Sequence, residues 1–191
     1  MPISTVQQGL ITEAEFVKIV IITTGGRLVP ERPLADDERR DFDIRIRRAF
    51  RKYLGVQEKT SLILRRHGRA LVLQINFRLK PPMDSDPDYW YFLAHFDLAT
   101  MTFSEPVFLV PASFLHRYAR IGTRGRYVEI QFKASMEPGS RDRWAQFRLT
   151  LQELGPRILE LLQVQAASAA VRATANPSEL GDLLWIRAKS R

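Results

Sequence analysis

Arg69-Ala70-Leu71-Val72-Leu73-Gln74-Ile75-Asn76-Phe77-Arg78-Leu79-Lys80 is the most strand-like run in the chain. A period of two puts Leu71, Leu73, Ile75, Phe77 and Leu79 on one face. Ala70, Val72, Gln74, Asn76, Arg78 and Lys80 fall on the other, which starts apolar and turns polar half-way along. Two readings fit: a strand that leaves a core and emerges at a site, or an ordinary strand with one solvated end.

The neighbouring segments extend the pattern in both directions. Ser61–Leu64 reads as a strand, and Arg65-Arg66-His67-Gly68 as the turn of a hairpin, with Gly68 supplying a positive φ. Phe42–Arg48 alternates Phe42, Ile44 and Ile46 with charged residues, so it reads as a strand with one wet face. Ala49–Leu54 fits strand or helix. Downstream, Pro81–Asp88 is an exposed loop, Tyr89–Leu98 an aromatic strand and Ala99–Thr102 a turn. Val107–Val110 is wholly apolar, which burial on both faces demands, and Pro111 opens a helix to about Tyr118. A basic loop at Gly122–Gly125 then precedes an edge strand at Tyr127–Lys133, and Gly139–Arg143 is another loop.

The helices flank this set. Residues 1–10 carry no pattern. Thr12 has the character of an N-cap, with Glu13 and Glu15 in the first turn, and Gly25-Gly26 ends that helix. Thr150 caps a second helix through about Gln163, where Pro156 either bends the helix or marks its true start. The order predicts an α/β (α+β) domain over residues 1–163, a mixed β-sheet of five or six strands flanked by helices. Residues 164–191 read as an Ala-rich linker or frayed helix and a tail, with an apolar patch at Leu180–Ile186.

Composition narrows the function classes. The 191 residues contain no cysteine, which excludes disulfides and thiolate metal ligands and suits a cytoplasmic protein. No apolar run approaches the ~18–20 residues that span a bilayer. Glu13 and Glu15 precede the apolar Phe16–Thr23, the wrong polarity for a signal peptide. Twenty-nine basic against 21 acidic residues leave a net charge of +8. The arginine clusters, with Arg45, Arg47, Arg65, Arg66 and Arg69 as candidate contacts, point to a polyanionic partner such as nucleic acid. His67, His95 and His116 form no spaced zinc motif. Asp84, Asp86 and Asp88 lack the glycine and distal glutamate of a calcium loop. Tyr89–Phe92 is read as core packing rather than a base-stacking platform.

Several strings resemble the PD-(D/E)XK nuclease superfamily, the restriction-endonuclease-like fold, over about residues 12–162. They are the acidic first helix, Pro33…Asp36-Asp37…Asp41-Phe42-Asp43 entering a strand, Gln74-Ile75-Asn76, and the aromatic strand leading into Pro106–Pro111 and its helix. The resemblance implies an aspartate at a strand start, Asp43 or Asp41, holding Mg2+. Gln74 would be the second metal-site residue, and Glu15 or Glu13 a supporting ligand. The lysine position would fall on neutral Asn76, with Arg78 on the same face as a partial substitute.

On that placement the expectation is a catalytically degenerate nuclease-like domain that binds nucleic acid or a protein partner. Two alternatives stand beside it. One is an active Mg2+-dependent DNA endonuclease using Asp43, Gln74 and Arg78. The other is a protein-interaction module with no nucleic-acid role.

Overall fold

The computed structural model describes residues 3–33, 40–49, 52–81, 83 and 86–175, with the side chains of 166 and 168–175 excepted. The fold is mixed α+β, as the element order implies. The first helix, α1, is Thr5–Thr23. Strands β1 (Leu28–Glu31), β2 (Phe42–Ile46), β3 (Leu54–Ser61), β4 (Leu64–His67), β5 (Ala70–Leu79), β6 (Tyr89–Asp97) and β7 (Thr102–Pro111) follow. After them come α2 (Ala112–Tyr118), β8 (Arg120–Arg124), β9 (Tyr127–Ser135), the short β10 (Arg148–Leu149) and α3 (Leu151–Ala175).

The strands divide between two sheets. The six-stranded sheet runs β1-β2-β3-β6-β7-β10 and the four-stranded one β4-β5-β9-β8. In the larger sheet β3 and β6 are parallel, and the other pairings are antiparallel. The four-stranded sheet is antiparallel throughout.

The alternation of β6 explains the layering. Phe92, Ala94 and Phe96 enter a core with Phe16, Ile19 and Val20 of α1 and Leu154, Ile158 and Leu162 of α3. Tyr89, Tyr91 and Leu93 enter a second core with Leu73, Ile75 and Leu79 of β5 and Ile130 and Phe132 of β9. The larger sheet is therefore covered by helices on one face and by the second sheet on the other. A strand buried on both sides needs apolar residues at successive positions, and β6 and Val107–Val110 supply them. Phe16 anchors the helical side, its ring centroid 5.1 Å from that of Phe42 and 4.8 Å from that of Phe92. At the crossing of α1 and α3 Gly155 has no side chain to spare. A Cβ there would lie 2.2 Å from Thr23 Oγ1 and 3.2 Å from the Val20 carbonyl oxygen.

Several expectations need correction. The first helix begins at Thr5, not Thr12. Ser4 is its N-cap and forms a capping box with Gln7, while Thr12 is buried within the helix. Leu54–Ser61 is one long strand, and Leu64–His67 is a strand where the hairpin turn was expected, which leaves the turn to Gly68-Arg69. Residues 120–124 form β8 instead of a loop; all five are exposed, so no burial pattern marks them. As a result β9 is an interior strand of the second sheet, not an edge. The last helix runs past Gln163 to Ala175 with Pro156 in its second turn. The Gly25-Gly26 stop, the hairpin glycine and the Thr150 cap match expectation. Gly25, Gly26 and Gly68 have φ of 58, 73 and 62°, and Thr150 exchanges hydrogen bonds with Glu153. The Leu180–Ile186 patch lies outside the described residues.

Candidate active site

The site follows from where β2 begins. Its ladder with β3 comprises Phe42↔Val56, Asp43↔Gly55 and Ile44↔Leu54. Beyond Val56, β3 continues for five residues that, among the described residues, pair with β6 only, from Gln57↔Tyr91 to Ser61↔His95. Among the described residues the ladder on the β2 side of β3 therefore ends at Val56, leaving a notch in the strand pairing. Asp41, the residue just before β2, closes part of it with its side chain. Its Oδ2 accepts a hydrogen bond from the Glu58 backbone N–H at 2.7 Å and another from Gln57 Nε2 at 2.6 Å. A carboxylate held by two donors at these distances is fixed in orientation.

Three consecutive residues of β3 contribute to the notch. By the pleat, Gln57 and Lys59 share the face of Tyr91 and Leu93, toward the second sheet. Glu58 points to the other face, toward α1. Lys59 Nζ donates to the Glu58 carbonyl oxygen at 2.9 Å. The Glu58 side chain is only 5% exposed, and neither of its carboxylate oxygens meets a hydrogen-bond partner among the described residues. Burial pushes its pKa up to about 8. The nearby Asp41 and Glu13 charges add to the rise, while the Thr12 hydroxyl and the Lys59 ammonium offset part of it.

From α1, Glu13 approaches the same point. Its pKa is raised, first by burial and then by Asp41, against the opposing pull of Arg32 and Lys59. Its Oε2 pairs with Arg32 Nη2 at 2.5 Å. Glu13, Asp41, Gln57, Glu58 and Lys59 therefore form one interacting group drawn from α1, the entry to β2, and β3.

The residues expected from the sequence divide. Asp41 and Glu13 belong to this group. Asp43 lies two positions further along, paired with Arg40 at 3.2 Å. The Arg40 chain crosses Gly55, where an added Cβ would meet its Cδ at 2.5 Å, and its guanidinium sits 4.8 Å from the Tyr53 ring centre. Glu15 is turned away: it accepts from Thr102 Oγ1 at 2.5 Å and pairs with Lys18.

Gln74, Asn76 and Arg78 are not brought to Asp41 or Asp43. The opposite face of β5 packs onto the larger sheet through Leu73, Ile75 and Leu79, so these three project from the outer face of the second sheet. There Asn76 accepts from Gln74 and Gln131, and Arg78 lies 3.6 Å from Glu129. Asp36 and Asp37 lie outside the described residues.

Among the arginines, Arg45 pairs with Glu31 at 2.5 Å. Arg47, Arg65, Arg66 and Arg69 are exposed. His116 is buried on the Tyr91 hydroxyl at 3.0 Å, and His95 Nδ1 meets Ser104 Oγ at 2.9 Å, so both are satisfied within the fold.

The group missed from the sequence is Gln57-Glu58-Lys59. A signal was present: a Gln-x-Lys triplet directly after the apolar Leu54–Val56, downstream of Asp41.

A divalent cation fits this group by the chemistry of its donors. Among the described residues the buried Glu58 carboxyl meets no hydrogen-bond partner and lies beside two further carboxyls, and a cation would relieve their repulsion. Among the described residues no three Asp, Glu, His or Cys side chains converge closely enough to hold an ion alone. Mg2+ suits such a site, since it keeps several waters and binds through one or two carboxylates plus substrate phosphate.

No family model and no curated protein matches the chain. Among solved structures, a bacterial homing endonuclease, I-Ssp6803I, is similar over 86% of this chain and 97% of its own, with 16% identity and a TM-score of 0.49. No helix among the described residues is long and apolar enough to cross a membrane.

Proposed function

We propose that this protein is an active divalent-metal-dependent nuclease whose active site is the notch beside Asp41. The supporting observation is the hydrogen-bonded pair of Asp41 with Gln57 and the Glu58 N–H, with Lys59 two residues along the same strand. In the PD-(D/E)XK pattern that the chain resembles, an aspartate at a strand start faces an acidic or amide residue two positions before a lysine. Asp41, Gln57 and Lys59 occupy those three places. The expectation of a decayed site rested on Asn76 at the lysine position and on a glutamine at the second metal position. Lys59 answers the first, and Gln57 keeps a glutamine at the second, where Glu13 adds a carboxylate.

Asp41 and Glu13 would hold Mg2+, with the Gln57 amide oxygen as a neutral third donor. When bound, Mg2+ supplies a water of lowered pKa and Lewis-acid stabilisation of phosphate charge. The chain's own residues do the rest. Gln57 and the Glu58 N–H fix the Asp41 carboxylate, so little reorganisation is needed when a phosphate arrives. Lys59 carries a cation that balances charge developing on the phosphate oxygens.

The test is incubation of an end-labelled duplex with Mg2+, Mn2+ or EDTA, read on a denaturing gel. Strand cleavage should require metal and fall by about 10²–10³-fold in Asp41→Ala. Absence of cleavage by the wild type under all metals, or cleavage undiminished in Asp41→Ala, would reject the proposal.

A further inference from the structure

We infer that the outer face of the β4-β5-β9-β8 sheet docks into the major groove of duplex DNA. This names the substrate of the proposed nuclease and rests on that reading, but its evidence is a separate surface. The register fixes which side chains share the face. Across the sheet, Arg65 lies opposite Val72, Gln74 opposite Lys133, and Asn76 opposite Gln131, which is itself opposite Arg120. Further along, Arg78 lies opposite Glu129, and Arg124 opposite Tyr127.

Two features of this arrangement point to duplex DNA. The first is how the chemistry is distributed. The two interior strands carry the amides Gln74, Asn76 and Gln131, linked by hydrogen bonds through Asn76 Oδ1. The flanking strands carry arginines, Arg65 on β4 and Arg120 and Arg124 on β8, all exposed. Amides pair with the base edge of adenine and arginines with guanine or phosphate. Amides in the middle with arginines at both margins match base edges in the middle with phosphates on either side.

The second feature is size and charge. Four strands at ~4.8 Å spacing place β4 and β8 about 14 Å apart. The B-form major groove is about 12 Å wide and admits a two-stranded ribbon, here β5 and β9, leaving the outer strands at the phosphate rims. Five cations (Arg65, Arg78, Arg120, Arg124 and Lys133) stand on the face against one carboxylate, Glu129, which is paired with Arg78. At its margin a recess of about 360 Å3 is lined by Arg120, Gln131, Lys133 and Arg143, a further concentration of positive charge. The core contacts of this sheet come from Leu73, Ile75, Leu79, Ile130 and Phe132 on the inner face, so packing does not require the outer one to be rich in amides and arginine.

The test is binding in EDTA, which separates it from cleavage. The wild-type protein is mixed with a pool of duplexes carrying a randomised centre, and bound molecules are enriched and sequenced. Duplexes of a shared sequence should emerge. Asn76→Ala and Gln131→Ala should lose about tenfold or more of the preference for that sequence over random duplex. Arg65→Ala and Arg120→Ala should weaken binding to every duplex alike, each lowering the slope of log affinity against log salt by about 0.9. All four residues are on the surface, and thermal melts should match the wild type. The inference is overturned if the wild type binds only single strands or RNA, fails to bind duplex, or binds duplex with these four variants unchanged. If the face variants behave as stated but no metal supports cleavage, the docking face stands and the nuclease reading alone fails.

Discussion

The buried Glu58 carboxyl predicts that stability depends on pH. Glu58 is 5% exposed, neither oxygen meets a hydrogen-bond partner among the described residues, and its pKa is pushed from an ordinary 4.5 to about 8. In the folded protein it keeps its proton at pH values where the unfolded chain has lost it. The folded state therefore binds more protons between pH 4.5 and 8, and stability falls as pH rises through that window. Each unit of pKa difference corresponds to about 1.4 kcal/mol, so the effect is on the order of several kcal/mol, most of it between pH 5 and 8.5. Glu58→Gln keeps the shape and removes the titration. Urea unfolding of both proteins across pH 5–8.5 should show wild-type stability falling relative to the variant by several kcal/mol. Adding Mg2+ at pH 8.5 should narrow the gap, because a cation near Asp41 and Glu13 stabilises the ionised carboxylate. Parallel stability curves, within about 1 kcal/mol at every pH, would refute the reasoning.

Other perturbations test the packing around the site. Gly155→Ala places a Cβ 3.2 Å from the Val20 carbonyl oxygen and closer still to Thr23 and Thr24, so the α1–α3 crossing must open. A loss of about 1–3 kcal/mol in urea unfolding is expected. Tyr91→Phe removes the hydroxyl that meets His116 Nε2 at 3.0 Å and leaves a buried imidazole nitrogen without that partner. It should cost about 1–3 kcal/mol, read as a lower melting temperature. Gly55→Ala meets the Arg40 Cδ at 2.5 Å and should displace Arg40 from Asp43 and from the Tyr53 ring. A crystal structure of that variant should show Arg40 moved, with its ion pair to Asp43 broken.

The legible part of the fold was the part written in apolar periodicity. Tyr89–Asp97, Val107–Val110 and the stripe of α3 announce themselves because burial on a given face demands apolar residues there. Strand β8 was illegible because all five of its residues are exposed, so pairing alone makes it a strand. The start of α1 was missed because a Ser4–Gln7 capping box on a polar first turn leaves little apolar signal.

The site was half legible. Asp41 and Glu13 were candidates, but the strand beside them was sought at Gln74–Asn76, where alternation is cleanest. The strand that meets Asp41 is Leu54–Ser61, whose second half is polar even though Gln57 and Glu58 are buried, so apolar periodicity does not mark it. Sequence distance hides the contact: the hydrogen bond between Gln57 and Asp41 spans 16 residues. The polar face of β5 that first drew notice serves the outer surface of the second sheet.

The most direct measurement of the central claim is metal-dependent nicking of a supercoiled plasmid by four proteins: wild type, Asp41→Ala, Lys59→Ala, and Lys59→Ala combined with Asn76→Lys. The account predicts nicking by the wild type alone. The added lysine on β5 should give no rescue, because it lies on the outer face of the other sheet. Nicking that survives in Asp41→Ala, or returns when Asn76→Lys is added, would contradict it.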